Sequence, residues 1–298
     1  MTVITTRTVQ ANGFSFAVDE AGEGDHLALC LHGFPESRFS WRYQLPLLAE
    51  LGYRAWAPDL RGYGETEPKP QAVSAYLIDR LMEDVAALIE ASGARTVTLI
   101  GHDWGAGLAW TFAANTLRPL ERLVIMNVPH PAVMNAHLRK SWAQLKKSWY
   151  MFFFQLPGIP ERAMTRDGAR AIRDAFQGMA IDKSNFRPDV LDRYAKDARR
   201  PGAMTGMLNW YRAAFRLQGK LAGPWPMIET PTLIVWGEED AALGVELLDG
   251  TDAYVRDLTI KRLPGVSHWV QQEAPEAVNA ILREWLKTPR AGAAGPRS

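Results

Sequence analysis

LIGHDWGAG, residues 99–107, follows the apolar, partly β-branched run Thr96-Val97-Thr98-Leu99-Ile100. The run stops at Gly101, a turn of the form x-D-x-G follows, and small residues then open a helix. Strand, tight turn and helix in that order outline a nucleophile elbow, where the pattern G-x-S-x-G exposes a serine. Here the centre of Gly101-His102-Asp103-Trp104-Gly105 is an aspartate. A carboxylate that attacks an ester or amide forms an anhydride and gains little. One that attacks an sp³ carbon forms a stable alkyl ester. Asp103 therefore points to an alkyl electrophile. Its reference pKa is about 3.9, so it is ionised at neutral pH and needs no base to become a nucleophile.

Outward from the elbow, strand-like runs alternate with helix-period segments, the pattern of a mostly parallel sheet with helices on both faces. LALCLHG, YRAWAPDL, TVTLIG and RLVIMNV read as strands, and RYQLPLLAELG as a helix. SAYLIDRLMEDVAALIEASG reads as a second helix, with Leu77, Leu81, Val85, Leu88 and Ile89 on one face. From about 132 to 225 the chain is rich in Trp, Phe, Met and Arg and is broken by LPGIP, FRPD and RRPG, which predicts several short helices. Strand signals resume in TPTLIVWGEED and DLTIKRLPG. A last helix, PEAVNAILREWLKT, starts on Pro275. The expected plan is an α/β core of residues 1–131 and 226–287, an inserted α-helical cap of residues 132–225, and a disordered tail of residues 288–298.

The 298 residues carry a formal net charge of +1 and are 47% hydrophobic. No global field draws the chain to nucleic acid or to an anionic membrane. The single cysteine, Cys30, lies in the apolar run Leu27–Leu31, so a buried strand position is expected and no intrachain disulfide can form. The first residues lack the basic start and apolar stretch of a signal peptide, and no run reaches about 18 apolar residues. A soluble, cytoplasmic protein with no membrane anchor is expected, its oligomeric state left open between monomer and homodimer.

Reading on from Asp103, Asp240 follows the strand LIVWGEED and His268 lies in LPGVSHW. Nucleophile, acid, histidine is the chain order of α/β-hydrolases, and each candidate follows a predicted strand, where an open α/β sheet forms its ligand crevice. Glu238, Glu239 and Asn127 compete with Asp240 for the role of orienting His268. HGFPE, residues 32–36, follows the Cys30 strand, and the Phe34 and Trp104 backbone N–H groups are expected to form an oxyanion hole. Gly33 allows the tight backbone there, and Pro35 suits a turn with a cis bond. With a nucleophile that is already charged, His268 is free to activate water against the Asp103 ester, held by Asp240. An opened epoxide leaves as an alkoxide and needs a proton. Tyr150 in WYMFFFQLPG and Tyr211 in LNWYRAAFR have pKa values near 10 and can donate it. Taken alone, such tyrosines read as packing residues.

In HGFPES, SWRYQLPLLAELGYRAWAPDLRGYGETEPKP, GHDWGAGLAW, NVPHP, YMFFFQLPG, NWYRAAFR, WGEEDAAL and GVSHWVQQEAP, spread over about residues 25–287, the chain resembles the epoxide hydrolases of the α/β-hydrolase fold. The resemblance implies Asp103 as nucleophile, His268 as base, Asp240 as its partner, Tyr150 and Tyr211 as cap acids, and the Phe34 and Trp104 amides as oxyanion hole. It implies an apolar epoxide and water as substrates, with no cofactor and no metal. Family members often carry another tyrosine soon after the first cap tyrosine. This chain has Phe152-Phe153-Phe154 instead, which predicts a drier pocket.

A dehalogenase of the same fold shares the Asp–His chemistry. Haloalkane dehalogenases often have asparagine where this chain has Phe34, and fluoroacetate-type enzymes have arginine where it has Trp104. The paired tyrosines favour an epoxide. A ligand-binding member of the fold without turnover is a third reading, weakened by intact candidates at all three catalytic positions. His130 and His137 form no H-E-x-x-H set, and GYG at residues 62–64 lacks the context of a dinucleotide fingerprint.

Overall fold

The computed structural model describes residues 2–138, 149–216 and 225–288. Of the expected tail, all but Thr288 lies outside the described residues.

Eight strands form one sheet in the order β1-β2-β4-β3-β5-β6-β7-β8. They are β1 (Thr5–Ala11), β2 (Phe14–Ala21), β3 (His26–Leu31), β4 (Arg54–Pro58), β5 (Thr96–His102), β6 (Arg122–Met126), β7 (Thr232–Gly237) and β8 (Leu258–Leu263). From β4 to β8 every neighbouring pair is parallel, and β1 and β2 add an antiparallel edge. The hairpin between them turns on Asn12 and Gly13, both at positive φ. Asn-Gly is a strong short-range hairpin signal, and here it sets the antiparallel edge.

Five helices pack on the sheet: α1 (Gln44–Glu50), α2 (Ile78–Ser92), α3 (Trp104–Asn115) and, near the end of the chain, the short Val270–Glu273 and the long Pro275–Lys287. Helix α2 starts later than its periodicity suggests. Leu77 has ψ 142° and stands before the first turn, while residues 73–76 form a separate 3₁₀ turn. Helix α3 is buried nearly all round and lies hard against the strands. A Cβ at Gly105 would strike the carbonyls of Leu31 and His32, and one at Gly101 would strike Gly105 and Ala106. Both glycines of the elbow are thus demanded by close approach of helix and sheet.

Between β6 and β7 the described residues form α4 (Pro131–Leu138), α5 (Trp149–Phe153), α6 (Ile159–Met179), α7 (Pro188–Ala198) and α8 (Ala203–Arg216). The closing helices of the chain are α9 (Val270–Glu273) and α10 (Pro275–Lys287). Helix α6 is longer than expected, but residues 166–169 break it, with Asp167, Gly168 and Ala169 in the left-handed region. Helix α8 is seated on the core by the Trp210 indole, which donates to the Arg61 carbonyl at 3.0 Å, and by Asn209, which donates to that of Gln71 at 3.0 Å. No helix of the described residues is long and apolar enough to cross a membrane.

Candidate active site

Asp103 joins β5 to α3 at φ 48° and ψ −123°, a conformation that costs an L-residue on the order of 1–3 kcal/mol. The turn holds because the Asp103 carbonyl accepts from Ala106 N–H at 2.9 Å and Gly107 N–H at 3.0 Å, closing the first turn of α3. The carboxylate thereby points off the strand end, its side chain 19% exposed. Gly33 is required beside it, since a Cβ there would strike the Asp103 side chain.

The two carboxylate oxygens have different neighbours. Oδ1 accepts from the Phe34 N–H at 2.7 Å, and Oδ2 lies 3.5 Å from His268 Nε2. The Phe34-Pro35 peptide is cis. Of the two amides expected to face this carboxylate, that of Phe34 reaches it. That of Trp104, in the first turn of α3, makes no hydrogen bond to it among the described residues. Burial alone favours the neutral acid, but the hydrogen bond and charge of His268 outweigh it, helped by Phe34 N–H, and hold Asp103 below the usual carboxylate range.

His268 is buried, and its Nδ1 meets Asp240 Oδ2 at 2.6 Å. Asp240 is saturated. Oδ2 also accepts from Asn127 Nδ2 at 2.8 Å, and Oδ1 accepts from the N–H groups of Ala242 at 2.8 Å and Leu243 at 2.9 Å. Glu238 turns to Arg262 at 2.7 Å, and Glu239 is exposed. Asn127, a rival for the partner role, instead supports Asp240 while accepting from Gly237 N–H at 2.9 Å. Burial opposes a charged imidazole, yet Asp240 and Asp103 together raise His268 well above its ordinary value. Burial likewise opposes the Asp240 charge, and His268 and Asn127 lower its pKa in spite of it.

A second carboxylate beneath the site went unnoticed in the sequence. Glu36, fully buried, accepts from Gly33 N–H at 2.8 Å, from Gln271 at 2.9 Å and Gln272 at 2.7 Å, and meets His102 Nδ1 at 2.8 Å. His102 Nε2 in turn meets the His268 carbonyl at 2.8 Å. The Phe34 loop, the elbow and the His268 loop are thus joined through one group. The only signal was a charged residue in HGFPE and a histidine at the end of an apolar strand.

Tyr150 on α5 and Tyr211 on α8 come together with ring centroids 6.0 Å apart. The Tyr211 ring stands edge-on to Phe34 at 5.3 Å and to Trp104 at 4.9 Å, the residues whose amides were expected at Asp103. Burial pushes both phenols above their ordinary pKa, and the Asp103 charge adds to it. Arg212, also unnoticed in the sequence, clamps α8 to the end of α5. It donates to the carbonyls of Phe154 at 3.0 Å and Leu156 at 2.8 Å and pairs with Glu161 at 2.6 Å. The three phenylalanines separate: Phe154 is 4% exposed and packs on Phe34, Tyr150 and Tyr211. Phe152 is 49% exposed and rests on Phe215, so the run does not face the two tyrosines as a block. Among the described residues no group of three or more His, Cys, Asp or Glu side chains is placed to share a metal ion.

Residues 29–275 match the family model described as alpha/beta hydrolase fold, the class that the sheet and elbow define. The chain is similar to epoxide hydrolase 4 of Mus musculus, 37% identical over 94% of this chain and 78% of that one. It is 33% identical to epoxide hydrolase A of Mycobacterium tuberculosis, over 95% and 97% of the two chains. The solved epoxide hydrolase of Bacillus megaterium, bound to an inhibitor, superposes with a TM-score of 0.84 at 31% identity, covering 95% of this chain and all of that one. The chain therefore belongs to the epoxide hydrolases of the α/β-hydrolase superfamily.

Proposed function

We propose that this enzyme converts an apolar epoxide and water to a vicinal diol through an alkyl ester on Asp103, without a cofactor. The reading is carried by the split environment of the Asp103 carboxylate, with Oδ1 on the Phe34 N–H and Oδ2 toward His268 Nε2. Residues 1–131 and 226–287 act as the core, and residues 132–225 as a cap that supplies the acids.

Oδ2 attacks an epoxide carbon, the C–O bond breaks, and Tyr150 and Tyr211 share and protonate the departing alkoxide. Their raised pKa values keep the protons in place until a stronger base, the alkoxide, forms. Loss of the Asp103 charge then removes two influences that hold His268 protonated, and the imidazole becomes a competent base. It takes a proton from water as the oxygen bonds to the Asp103 carbonyl carbon. Negative charge develops on the oxygen that Phe34 N–H already faces, with Trp104 N–H as second donor. Collapse of this intermediate releases the diol, returns the carboxylate, and lets the imidazolium and tyrosinate exchange their proton through the departing product or water. Asp240 keeps His268 in the tautomer this requires. The walls, built from Phe34, Trp104 and Phe154, favour an apolar substrate.

The deciding experiment is mass spectrometry of His268→Gln after brief exposure to styrene oxide. An adduct of substrate mass on the peptide containing Asp103 is expected. An unmodified Asp103 in protein shown to bind the epoxide overturns the mechanism.

A further inference from the structure

Helix α9 follows His268 almost directly, and its polar side chains are buried. Gln271 and Gln272 serve Glu36, as described. Glu273, 4% exposed, does something else. Its Oε2 accepts from the Ser267 N–H at 3.2 Å and from the Ser267 hydroxyl. Its Oε1 accepts from the N–H groups of Ile181 at 3.1 Å and Asp182 at 3.0 Å. Ser267 immediately precedes the base. Ile181 and Asp182 lie in the connection between α6 and α7. One carboxylate therefore spans the base loop and the helical insertion, taking two donors from each.

Two other contacts run the same way. Trp269, on the far side of His268, packs on Phe176 of α6 with centroids 4.5 Å apart. Gln272 accepts from the Tyr194 hydroxyl of α7 at 2.6 Å. Ser267 and Trp269, the chain neighbours of the base, are thus linked to the α6–α7 connection and to α6, and Gln272 to α7.

We propose that Glu273 is a positioning residue for ester hydrolysis, bridging the base loop to the α6–α7 connection so that seating of the cap sets the approach of His268 Nε2 to Asp103. This rests on the Asp103-ester reading. A carboxylate accepts at both ends, whereas an amide must turn its NH₂ toward one of the two donor pairs. Glu273→Gln therefore opens the bridge on one side or the other, and His268 loses its fixed height over Asp103. Ring opening uses Asp103 and the two phenols and is spared.

The test is rapid-mixing single turnover with styrene oxide, read by product and by covalent ester on Asp103. For Glu273→Gln the alkylation rate is expected within about threefold of the parent, while ester hydrolysis slows by about tenfold to a hundredfold, as for an ångström-scale misplacement. Ester then accumulates in the steady state. Hydrolysis within twofold of the parent, or an equal fall of both steps, overturns the proposal. Should Glu273→Gln fail to fold, Ser267→Ala decides, since it removes only the hydroxyl donor. It is expected to slow hydrolysis roughly fivefold with alkylation unchanged, the kinetic equivalent of one neutral hydrogen bond. Unchanged hydrolysis there counts against the bridge. His268→Gln run alongside separates the two claims. No ester in that variant overturns the Asp103 mechanism itself, whereas ester there and none in Glu273→Gln overturns only the bridge.

Discussion

The two sides of Asp103 are built from different materials. On the core side, His268, Asp240 and Asn127 form a chain in which nearly every polar atom has a partner at 2.6–2.9 Å. On the side of α5 and α8, Tyr150 and Tyr211 meet aromatic edges at 4.9–6.0 Å. Fixed dipoles suit a base that must hold one tautomer and one height above the ester. An aromatic wall suits an acid that must keep its proton until an alkoxide demands it. If each region serves one half-reaction, a change on one side should leave the rate of the other nearly intact.

Asp240→Asn strikes the core side hardest. An amide offers its oxygen either to His268 Nδ1 or to the Ala242 and Leu243 amides, and its NH₂ faces donors in the other direction. With the oxygen on the two backbone amides, the NH₂ faces His268 Nδ1 and drives the imidazole to the tautomer with Nε2 protonated. Ester hydrolysis should fall by roughly 10³–10⁴, with Asp103 still alkylated near the parental rate. Pre-steady-state mixing followed by mass spectrometry reads both numbers. Equal losses in the two steps would break the division between the regions.

Tyr150→Phe combined with Tyr211→Phe tests the aromatic side. Ring opening should slow by about 10²–10⁴, the ordinary contribution of a positioned acid, while each single variant retains part of the activity. Thermal unfolding should stay close to the parent, because both rings keep their edge contacts. Full activity in the double variant would remove the phenols from the mechanism.

A smaller and graded effect is expected from pH. Asp103 is held below the usual carboxylate range and the phenols above theirs, so alkylation should be flat across neutral pH. Ester hydrolysis needs neutral His268, whose pKa is raised chiefly by Asp240 against the effect of burial. Below that pKa the base is protonated, so the hydrolysis rate should rise about tenfold per pH unit and then level. The break should lie lower in the ester than the pKa of His268 in the free enzyme, where Asp103 still carries charge. Single-turnover hydrolysis against NMR titration of the imidazole makes the comparison. Parallel profiles for the two steps would place one group in control of both.

The same contrast explains what could be read from the chain. Asp103 follows β5 directly, and Asp240 and His268 follow β7 and β8 within a few residues; strand ends of a parallel sheet converge, so local pattern points to this end of the sheet. The choice of Asp240 over Glu238 and Glu239 depended on where the backbone turns after β7, which three acids in a row do not reveal. Glu36 and His102 are partners 66 positions apart, and Glu36 and Gln272 are 236 apart. Nothing local marks them, because their meaning lies in tertiary pairing. Leu77 shows the converse: its spacing suits the face of α2, but its ψ of 142° keeps it outside the helix.

The smallest predicted effect concerns Phe152. Phe152 and Phe154 are two positions apart in one run, yet on α5 and its exit they face opposite ways, one toward Phe215 and solvent, the other toward the phenols. Phe154→Ala removes a buried ring at the junction of Phe34, Tyr150 and Tyr211, and should cost about 3–5 kcal/mol of stability. Phe152→Ala should change stability by no more than about 0.5 kcal/mol and leave both half-reactions at the parental rate. Denaturant titration and single-turnover kinetics of the pair measure the difference. A loss of ring opening in Phe152→Ala would mean that the outer face of α5 also shapes the acid side, and the apolar wall would then extend beyond Phe154.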